Sequence, residues 1–405
     1  MGKLIRDKEL NKLVRELNQG AERQESSVES GDFATAPTMS GGIVPEGNAL
    51  ETLLTQIAER GASDMHLVAD APPIFRIDGA LARSEHPPLT SDEVHSLFTP
   101  VLSSSVAQKL NAGDAVDFSM RLSGAATKDG KAWRFRVNLH KQRGTTAAAI
   151  RALPSQVPSI EELHLPASLA ELMKAAHGLV LVCGPTGSGK STTLAELVNE
   201  LNKSDSRHVI TIEDPIEYEH ANNKSIIEQV EVGRDTPSFA AALRAALRQD
   251  PDVILVGEMR DLETVSTAIT AAETGHLILS TMHTSDVAQA IHRIIDVFPP
   301  TQQAQIRQQL SLALNGIIVQ HLIPRADGKG RAVAVEVIIS NNAVRNHIRN
   351  DKLQNLTTEF TLGKRQGMIS LEDSLSSLVK MRLISDEDAR ARASRVDEYE
   401  SLMRG

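Results

Sequence analysis

The sequence predicts an α/β protein with two folded domains, and three observations support this prediction. In the second half, short apolar runs alternate with amphipathic helical segments, which is typical of a mostly parallel sheet covered on both faces. A glycine-rich phosphate loop lies between one such run and a helix. The first half contains strand-like pieces that alternate apolar and polar residues instead.

Residues 1–47 are predicted to be an extension outside both domains. The apolar spacing of "KLIRDKELNKLVRELNQ" favours a short helix with one apolar face. The segment that follows is rich in Ser, Gly and Glu, a composition typical of a flexible linker. The helix is interpreted either as a surface helix or as a docking element for a partner, and the pattern leaves both open.

Residues 48–152 are predicted to form the first domain. The pieces "SDMHLVA", "PIFRIDG", "VDFSMRL" and "WRFRVNLH" alternate in polarity, so we expect a one-sided sheet with helices. Residues 153–164 contain two prolines and are predicted to be a linker. The parallel sheet is expected in residues 165–340, from "GLVLVCG", "HVITIED", "DVILVGE" and "HLILSTMH". Residues 341–405 are predicted to be helical.

Composition excludes several classes of protein. A net charge of -9 and an aromatic content of 3% argue against nucleic acid as the main partner, because backbone binding needs clustered cations and base stacking needs aromatic rings. The single cysteine, Cys183, excludes an internal disulfide and a four-cysteine zinc site. No stretch of about 18 apolar residues is present, so no membrane insertion is expected. A cytoplasmic location fits these features.

The segment "GPTGSGKS" (Gly184–Ser191) fits the phosphate-loop pattern G-x-x-x-x-G-K-[ST] and has the expected flanking strand and helix. Glycines let successive backbone N–H groups point at a phosphate, and the helix start adds its positive dipole end. Lys190 is expected to contact the β- and γ-phosphates, and the Ser191 hydroxyl to bind Mg²⁺. The predicted phosphate-binding residues are Gly184, Pro185, Thr186, Gly187, Ser188, Gly189, Lys190, Ser191 and Thr192.

Acidic residues follow two of the apolar runs directly. Glu213 and Asp214 end "HVITIED", and Glu258 ends "DVILVGE". Because ligands of open α/β sheets bind at the carboxyl ends of strands, these acids are predicted to orient water or to hold Mg²⁺ beside the phosphate loop. Glu217 and Glu219 are interpreted as solvated acids.

Two other features leave their interpretation open. His283 ends the run "HLILSTMH" and is a candidate to hydrogen-bond with a γ-phosphate, with a purely structural role as the alternative. Arg244 and Arg248 lie four residues apart on one helical face. They suit a solvated face, a subunit contact or part of the site.

Four segments resemble, in order and spacing, the nucleotide-site boxes of the type II/type IV secretion ATPase superfamily: "GPTGSGKSTT", "TIEDPIEYEH", "LRQDPDVILVGEMRD" and "STMHT". The particular resemblance is to the PilT-like type IV pilus retraction ATPases, and it extends to "GASDMHL" and "FRVNLHKQRG" in the first domain. It implies an N-terminal PAS-like domain joined to a RecA-like ATPase domain, a hexameric ring, and ATP with Mg²⁺ bound between the two domains.

The resemblance also assigns roles to residues. Lys190 and Ser191 match the phosphate-loop positions, Glu213 and Asp214 the aspartate box, Glu258 the Walker B acid, and His276 and His283 the histidine box. It implies base and metal roles shared between the two glutamates, and phosphate contacts from first-domain arginines, here Arg136 and Arg143. The implied catalytic residues are Lys190, Glu213, Glu258 and His283, and the implied metal ligands are Ser191, Asp214 and Glu258.

The implied function is a motor that couples ATP hydrolysis to pilus retraction. It implies as partners an inner-membrane platform protein of the pilus and a paralogous ATPase, with peripheral membrane association through these partners. The segment "AVRNHIRND" resembles a C-terminal retraction motif, but His347 replaces its central leucine. An ATPase of a secretion or conjugation system, an accessory retraction paralogue, a nucleic-acid motor and a poorly hydrolysing regulatory subunit remain alternatives.

Overall fold

The computed structural model describes residues 43–44, 47–77, 79–126 and 132–404. The predicted N-terminal helix and most of the linker after it lie outside the described residues. None of the described helices is long and apolar enough to cross a membrane.

The first sheet has seven strands in the order β1–β5–β6–β7–β2–β3–β4. Its neighbours are antiparallel except for the β1–β5 pair. One face is covered by three helices, and the buried side chains between them include Leu54, Phe98, Phe118 and Phe135. The elements are β1 (Ile43–Val44), α1 (Ala49–Glu59), β2 (Asp64–Leu67), β3 (Ile74–Ile77), β4 (Ala80–Arg83), α2 (Ser91–Phe98), α3 (Ser104–Ala112), β5 (Val116–Ala126), β6 (Ala132–Gln142) and β7 (Thr145–Leu153).

The second sheet has the order β10–β9–β11–β12–β8–β13–β14. Only β14 runs antiparallel to its neighbour. The strands are β8 (Gly178–Cys183), β9 (His208–Glu213), β10 (Ile226–Glu231), β11 (Val253–Val256), β12 (Leu277–Met282), β13 (Leu314–Pro324) and β14 (Arg331–Ile339).

Helices cover both faces of this sheet, so every side chain of β8, β11 and β12 is buried. The helices α4 and α5 pack on one face, and α6 to α10 pack on the other. This confirms the predicted α/β class and the mostly parallel sheet. The helices are α4 (Ser168–Leu172), α5 (Lys190–Ser204), α6 (Phe239–Ala246), α7 (Leu262–Thr274), α8 (Val287–Asp296), α9 (Pro300–Ala313) and α10 (Asn342–Arg349).

The chain after α10 is helical. Helices α12 to α14 pack with the outer half of the β13–β14 hairpin around Leu375 and Tyr399, both fully buried. The predicted boundaries at residues 47, 152, 164 and 340 stay predictions. These last helices are α11 (Leu356–Leu362), α12 (Leu371–Lys380), α13 (Asp386–Arg392) and α14 (Val396–Arg404).

The polar residue in the C-terminal motif has a partner. His347 lies on α10, and its Nε2 is 3.2 Å from Oε1 of Glu359 on α11. Both side chains are largely buried, with 16% and 9% of their surface exposed. The change from leucine to histidine is thus matched by a carboxylate at the same contact, and the α10–α11 packing has a polar pair where the motif has an apolar residue.

We expect His347 and Glu359 to be coupled in stability. A Glu359→Leu change leaves the His347 ring without this partner in a buried place, which costs about 1–3 kcal/mol, and His347→Leu does the same to Glu359. The double variant removes both polar groups, so it should recover much of the loss. Calorimetric melting of the four proteins measures the coupling, and strictly additive losses would contradict it.

Candidate active site

Four loops meet at one edge of the second sheet, because they follow parallel strands. The strands β9, β11, β12 and β8 are consecutive neighbours and point the same way. Glu213, Glu258, His283 and the phosphate loop therefore lie in a row along the carboxyl ends of these strands. This edge is where ligands of open α/β sheets bind.

The phosphate loop leaves β8 through backbone that only glycine tolerates. Gly184 has φ +146°, and a Cβ there would lie 2.5 Å from both the Gln320 carbonyl oxygen and Ser188 Oγ. Gly187 and Gly189 have φ +77° and +89°, in the left-handed region that favours glycine. The loop then enters α5, whose first N–H groups suit an anion.

Lys190 is buried at the start of α5. Its Nζ donates hydrogen bonds to the carbonyl oxygens of Gly184 (2.9 Å) and Pro185 (3.0 Å). Burial lowers the pKa of Lys190, and the nearby charges of Glu258 and Glu217 oppose this shift. The charged end is thus held inside the phosphate loop by weak neutral acceptors, which a phosphate can replace.

The next two residues of α5, Ser191 and Thr192, have surroundings different from those of Lys190. Ser191 is exposed at the helix start, and Thr192 Oγ1 lies 3.0 Å from the hydroxyl of Tyr218. Tyr218 belongs to the segment after β9 that also carries Glu217 and Glu219. The phosphate-loop helix is therefore in direct contact with the acidic segment.

His283 connects the phosphate loop to Glu258. Its Nδ1 lies 3.5 Å from Lys190 Nζ and 3.5 Å from Thr186 Oγ1, whereas its Nε2 lies 3.3 Å from Glu258 Oε1. Burial lowers the pKa of His283, and the Lys190 charge lowers it further. The ring is therefore neutral at neutral pH. Its Nδ1 edge faces the phosphate loop, and its Nε2 edge faces Glu258.

Glu258 is also in contact with a cation. Its Oε1 lies 2.5 Å from Nε of Arg260, whose side chain is largely exposed. The loop that carries Glu258 packs tightly on β9, because a Cβ at Gly257 would lie 3.1 Å from the Ile212 carbonyl oxygen. Thr281 Oγ1 donates to the Gly257 carbonyl oxygen (2.6 Å), which ties β12 to the same loop.

Glu213 is held by two donors at the end of β9. Its Oε1 accepts hydrogen bonds from Thr211 Oγ1 (2.6 Å) and Gln229 Nε2 (3.2 Å). Burial raises the pKa of Glu213 to about 7, and the nearby charge of Glu217 contributes to the increase. A carboxyl with this pKa exchanges a proton at neutral pH, which suits acid–base chemistry.

The acids interpreted from sequence as solvated have specific neighbours. The charge of Glu217 acts on both Lys190 and Glu213, so it belongs to the same cluster. Glu219 forms ion pairs with Arg121 and Arg134 of the first sheet. Their nearness in sequence to Asp214 was the available signal, but it did not indicate these partners.

The arginine candidates are not brought to the phosphate loop by any contact that the structure describes. Nε of Arg136 lies 3.3 Å from Asp117 Oδ1 within the first sheet, and Arg143 is exposed at the β6–β7 turn. Arg134, on the same strand, reaches the second domain instead. The sequence signal that could have identified Arg134 was its position two residues from Arg136, on the same face of the strand.

The structure also locates three other residues that were considered from the sequence: His276, Arg244 and Asp214. His276 precedes β12, so it lies at the amino ends of the parallel strands, about 23 Å from His283 at a rise of about 3.3 Å per residue over seven residues. Arg244 pairs with Glu263 of α7. Asp214 is exposed. The hydrogen bond to Glu258 raises the pKa of Arg260, and the charge of Asp214 adds to this increase.

A cavity of about 480 Å³ adjoins Glu258 and His283. This volume is within the range of ligand sites, about 300–1,000 Å³. Its wall is completed by α8. The residues lining it include Arg260, Thr281, Gln289, His292 and Arg293.

Comparison with known proteins identifies the family. Residues 44–368 match the family model described as Type II/IV secretion system protein. The chain belongs to this family. It is 45% identical over 341 residues to the type IV pilus retraction ATPase PilT of Pseudomonas aeruginosa, covering 84% of this chain and 97% of that protein.

Two other secretion-family proteins are similar. The type IV pilus ATPase PilU of Pseudomonas aeruginosa is 35% identical over 354 residues, covering 87% of this chain and 91% of that protein. A crystal structure of the pilus retraction motor PilT with bound ADP superimposes with a TM-score of 0.79 at 47% identity. It covers 88% of this chain and 100% of that chain.

The raised pKa of Glu213 predicts a pH-dependent stability. The folded protein keeps this proton up to about pH 7, whereas the unfolded chain loses it near the ordinary glutamate pKa of 4.5. The free energy of unfolding therefore falls as the pH rises between these values. Glu213→Gln should lose less stability than wild type in melts between about pH 5 and about pH 8.

Part of the pH dependence should persist in that variant, because burial also raises the pKa of Glu336 to about 7. Glu336 lies on β14 and accepts a hydrogen bond from the Val287 N–H (3.2 Å). Glu336→Gln is the matched variant that removes this second contribution to the pH dependence of stability. A Glu213→Gln protein with the wild-type pH dependence would show that Glu213 is not protonated in the folded state.

Proposed function

We propose that this chain is a hexameric, Mg²⁺-dependent ATPase whose turnover drives type IV pilus retraction. The observation that carries the proposal is the row of contacts from Lys190 through His283 to Glu258 at the carboxyl edge of the sheet. It occurs in a chain that is 45% identical to a protein named as a pilus retraction ATPase.

The donor set suits ATP and magnesium. The phosphate loop offers backbone N–H groups at a helix start, and Lys190 offers a charge that donates to two carbonyl oxygens. Mg²⁺ in nucleotide sites takes one or two carboxylates besides phosphate oxygens. Ser191, Asp214 and Glu258 are our proposed metal ligands, and all three offer oxygen. When bound, the ion would neutralise charge on the phosphates.

Hydrolysis requires a water to attack the γ-phosphorus while the bond to the β–γ bridging oxygen breaks, giving ADP and inorganic phosphate. We assign to Glu258 and Glu213 the orientation of this water and the acceptance of its proton. We also assign to His283 the detection of the γ-phosphate and the transmission of its loss to Glu258, because its Nδ1 faces Lys190 and its Nε2 faces Glu258.

The proposed assembly is a homohexamer with nucleotide between the PAS-like and RecA-like domains. Its proposed partners are an inner-membrane platform protein and a paralogous ATPase, and it would associate peripherally with the cytoplasmic side of the inner membrane. The presence of both PilT and PilU relatives in Pseudomonas aeruginosa supports a second ATPase as partner.

The alternatives are less well supported. The identity to PilT exceeds the identity to PilU, 45% against 35%, which favours the retraction ATPase over the accessory paralogue. Both relatives are named as type IV pilus ATPases, which favours a pilus over a secretion or conjugation system.

Lys190→Ala should abolish ATP turnover, because it removes the charge that the phosphate loop holds ready for the phosphates. Loss of such a preorganised contact typically lowers the rate about 10²-fold or more. Lys203→Ala on the same helix is the matched control, since Lys203 is half-exposed and pairs with Glu200. Phosphate release by the purified full chain is the measurement, and near-normal turnover of Lys190→Ala would refute the site.

A further inference from the structure

We propose that Arg134 is a positioning residue through which the first domain sets the conformation of the acid loop (residues 214–219). This proposal rests on the proposed ATPase function. It assigns a role to a residue that touches no predicted phosphate-binding group and acts through the loop that it holds.

Arg134 crosses from one sheet to the other. It lies on β6 of the first sheet, and its side chain is buried. Its guanidinium donates to the carbonyl oxygens of Ile216 (2.8 Å) and Glu217 (3.4 Å), and its Nε lies 3.2 Å from Glu219 Oε1. One side chain of the first domain thus contacts three successive parts of the loop after β9.

The acid loop is also held by residues of the second domain. The Ile216 N–H donates to Glu231 Oε2 (3.2 Å), and the Tyr218 carbonyl oxygen accepts from Gln229 Nε2 (2.8 Å). The Tyr218 hydroxyl meets Thr192 on the phosphate-loop helix. A shift of the loop would therefore move Tyr218 and Glu217 relative to α5.

Lysine cannot reproduce this contact. The planar guanidinium presents its N–H groups in a fixed fork that reaches two carbonyl oxygens and a carboxylate together, whereas an ammonium is a compact point charge. Arg76, on β3 of the same sheet, donates from its guanidinium to the Gly79 carbonyl oxygen (2.8 Å) instead. It supplies a control of the same residue type in the same domain.

The kcat and KM of ATP hydrolysis by the full chain test the proposal. We expect Arg134→Gln to lower kcat about tenfold or more with a smaller change in KM, because small misplacements of catalytic groups are costly. Arg76→Gln should stay within about twofold of wild type in both kcat and KM.

Arg134→Lys keeps the charge and guards against a misfolded glutamine variant. It should also lower kcat, because it loses the fork that holds the acid loop. Fluorescence of Trp133, the only tryptophan in the sequence, checks that the first sheet is folded in each variant.

The outcomes separate the two proposals. An active wild type with Arg134→Gln equal to Arg76→Gln in kcat and in KM overturns the role of Arg134 alone. A wild type that binds ATP but does not turn it over overturns the proposed function, and the role of Arg134 with it. A lowered kcat in both Arg134 variants, with a smaller change in KM and unchanged Trp133 fluorescence, supports the proposal.

Discussion

The close approach of backbone at Gly184 is the constraint on which the site depends. Gly184 lies where a side chain would meet the Gln320 carbonyl oxygen at 2.5 Å, so the turn out of β8 is compatible only with glycine. The Gln320 side chain in turn donates to Thr193 Oγ1 (2.8 Å) on α5. β13 therefore contacts the phosphate loop through the Gln320 carbonyl group and helix α5 through the Gln320 side chain.

The rest of the site follows from the order of the strands. β8 is flanked by β12 and β13, and β12 brings His283 against Lys190. β11 then brings Glu258 against His283. Burial acts differently on each group: it lowers the pKa of Lys190 and of His283 and raises that of Glu213. The site therefore contains the Lys190 cation, the neutral His283 ring and the Glu213 carboxyl, which exchanges its proton near pH 7.

Local patterns predicted the parts of the site that local sequence determines. The phosphate loop needs glycines, a lysine and flanking elements that are all adjacent in sequence, and strand-end acids follow from the apolar runs before them. β7 was missed because its sequence "TTAAAIRAL" is rich in alanine, which is not typical of strands; pairing with β6 and β2 determines it.

Contacts distant in sequence account for the other differences. The β13–β14 hairpin and the roles of Glu217 and Arg134 depend on which surfaces meet after folding. Strand periodicity places Arg134 and Arg136 on one face of the strand. It does not indicate that Arg136 pairs with Asp117, whereas Arg134 contacts the acid loop. The Glu359 partner of His347 is twelve residues away on another helix, and no motif indicates it.

The most direct test of the central claim is a count of surface pili by electron microscopy in cells that carry Lys190→Ala at the native locus. If ATP turnover at this site drives retraction, these cells should carry excess pili and lose surface motility. Bald cells would contradict the account, because they would show that the intact protein extends pili.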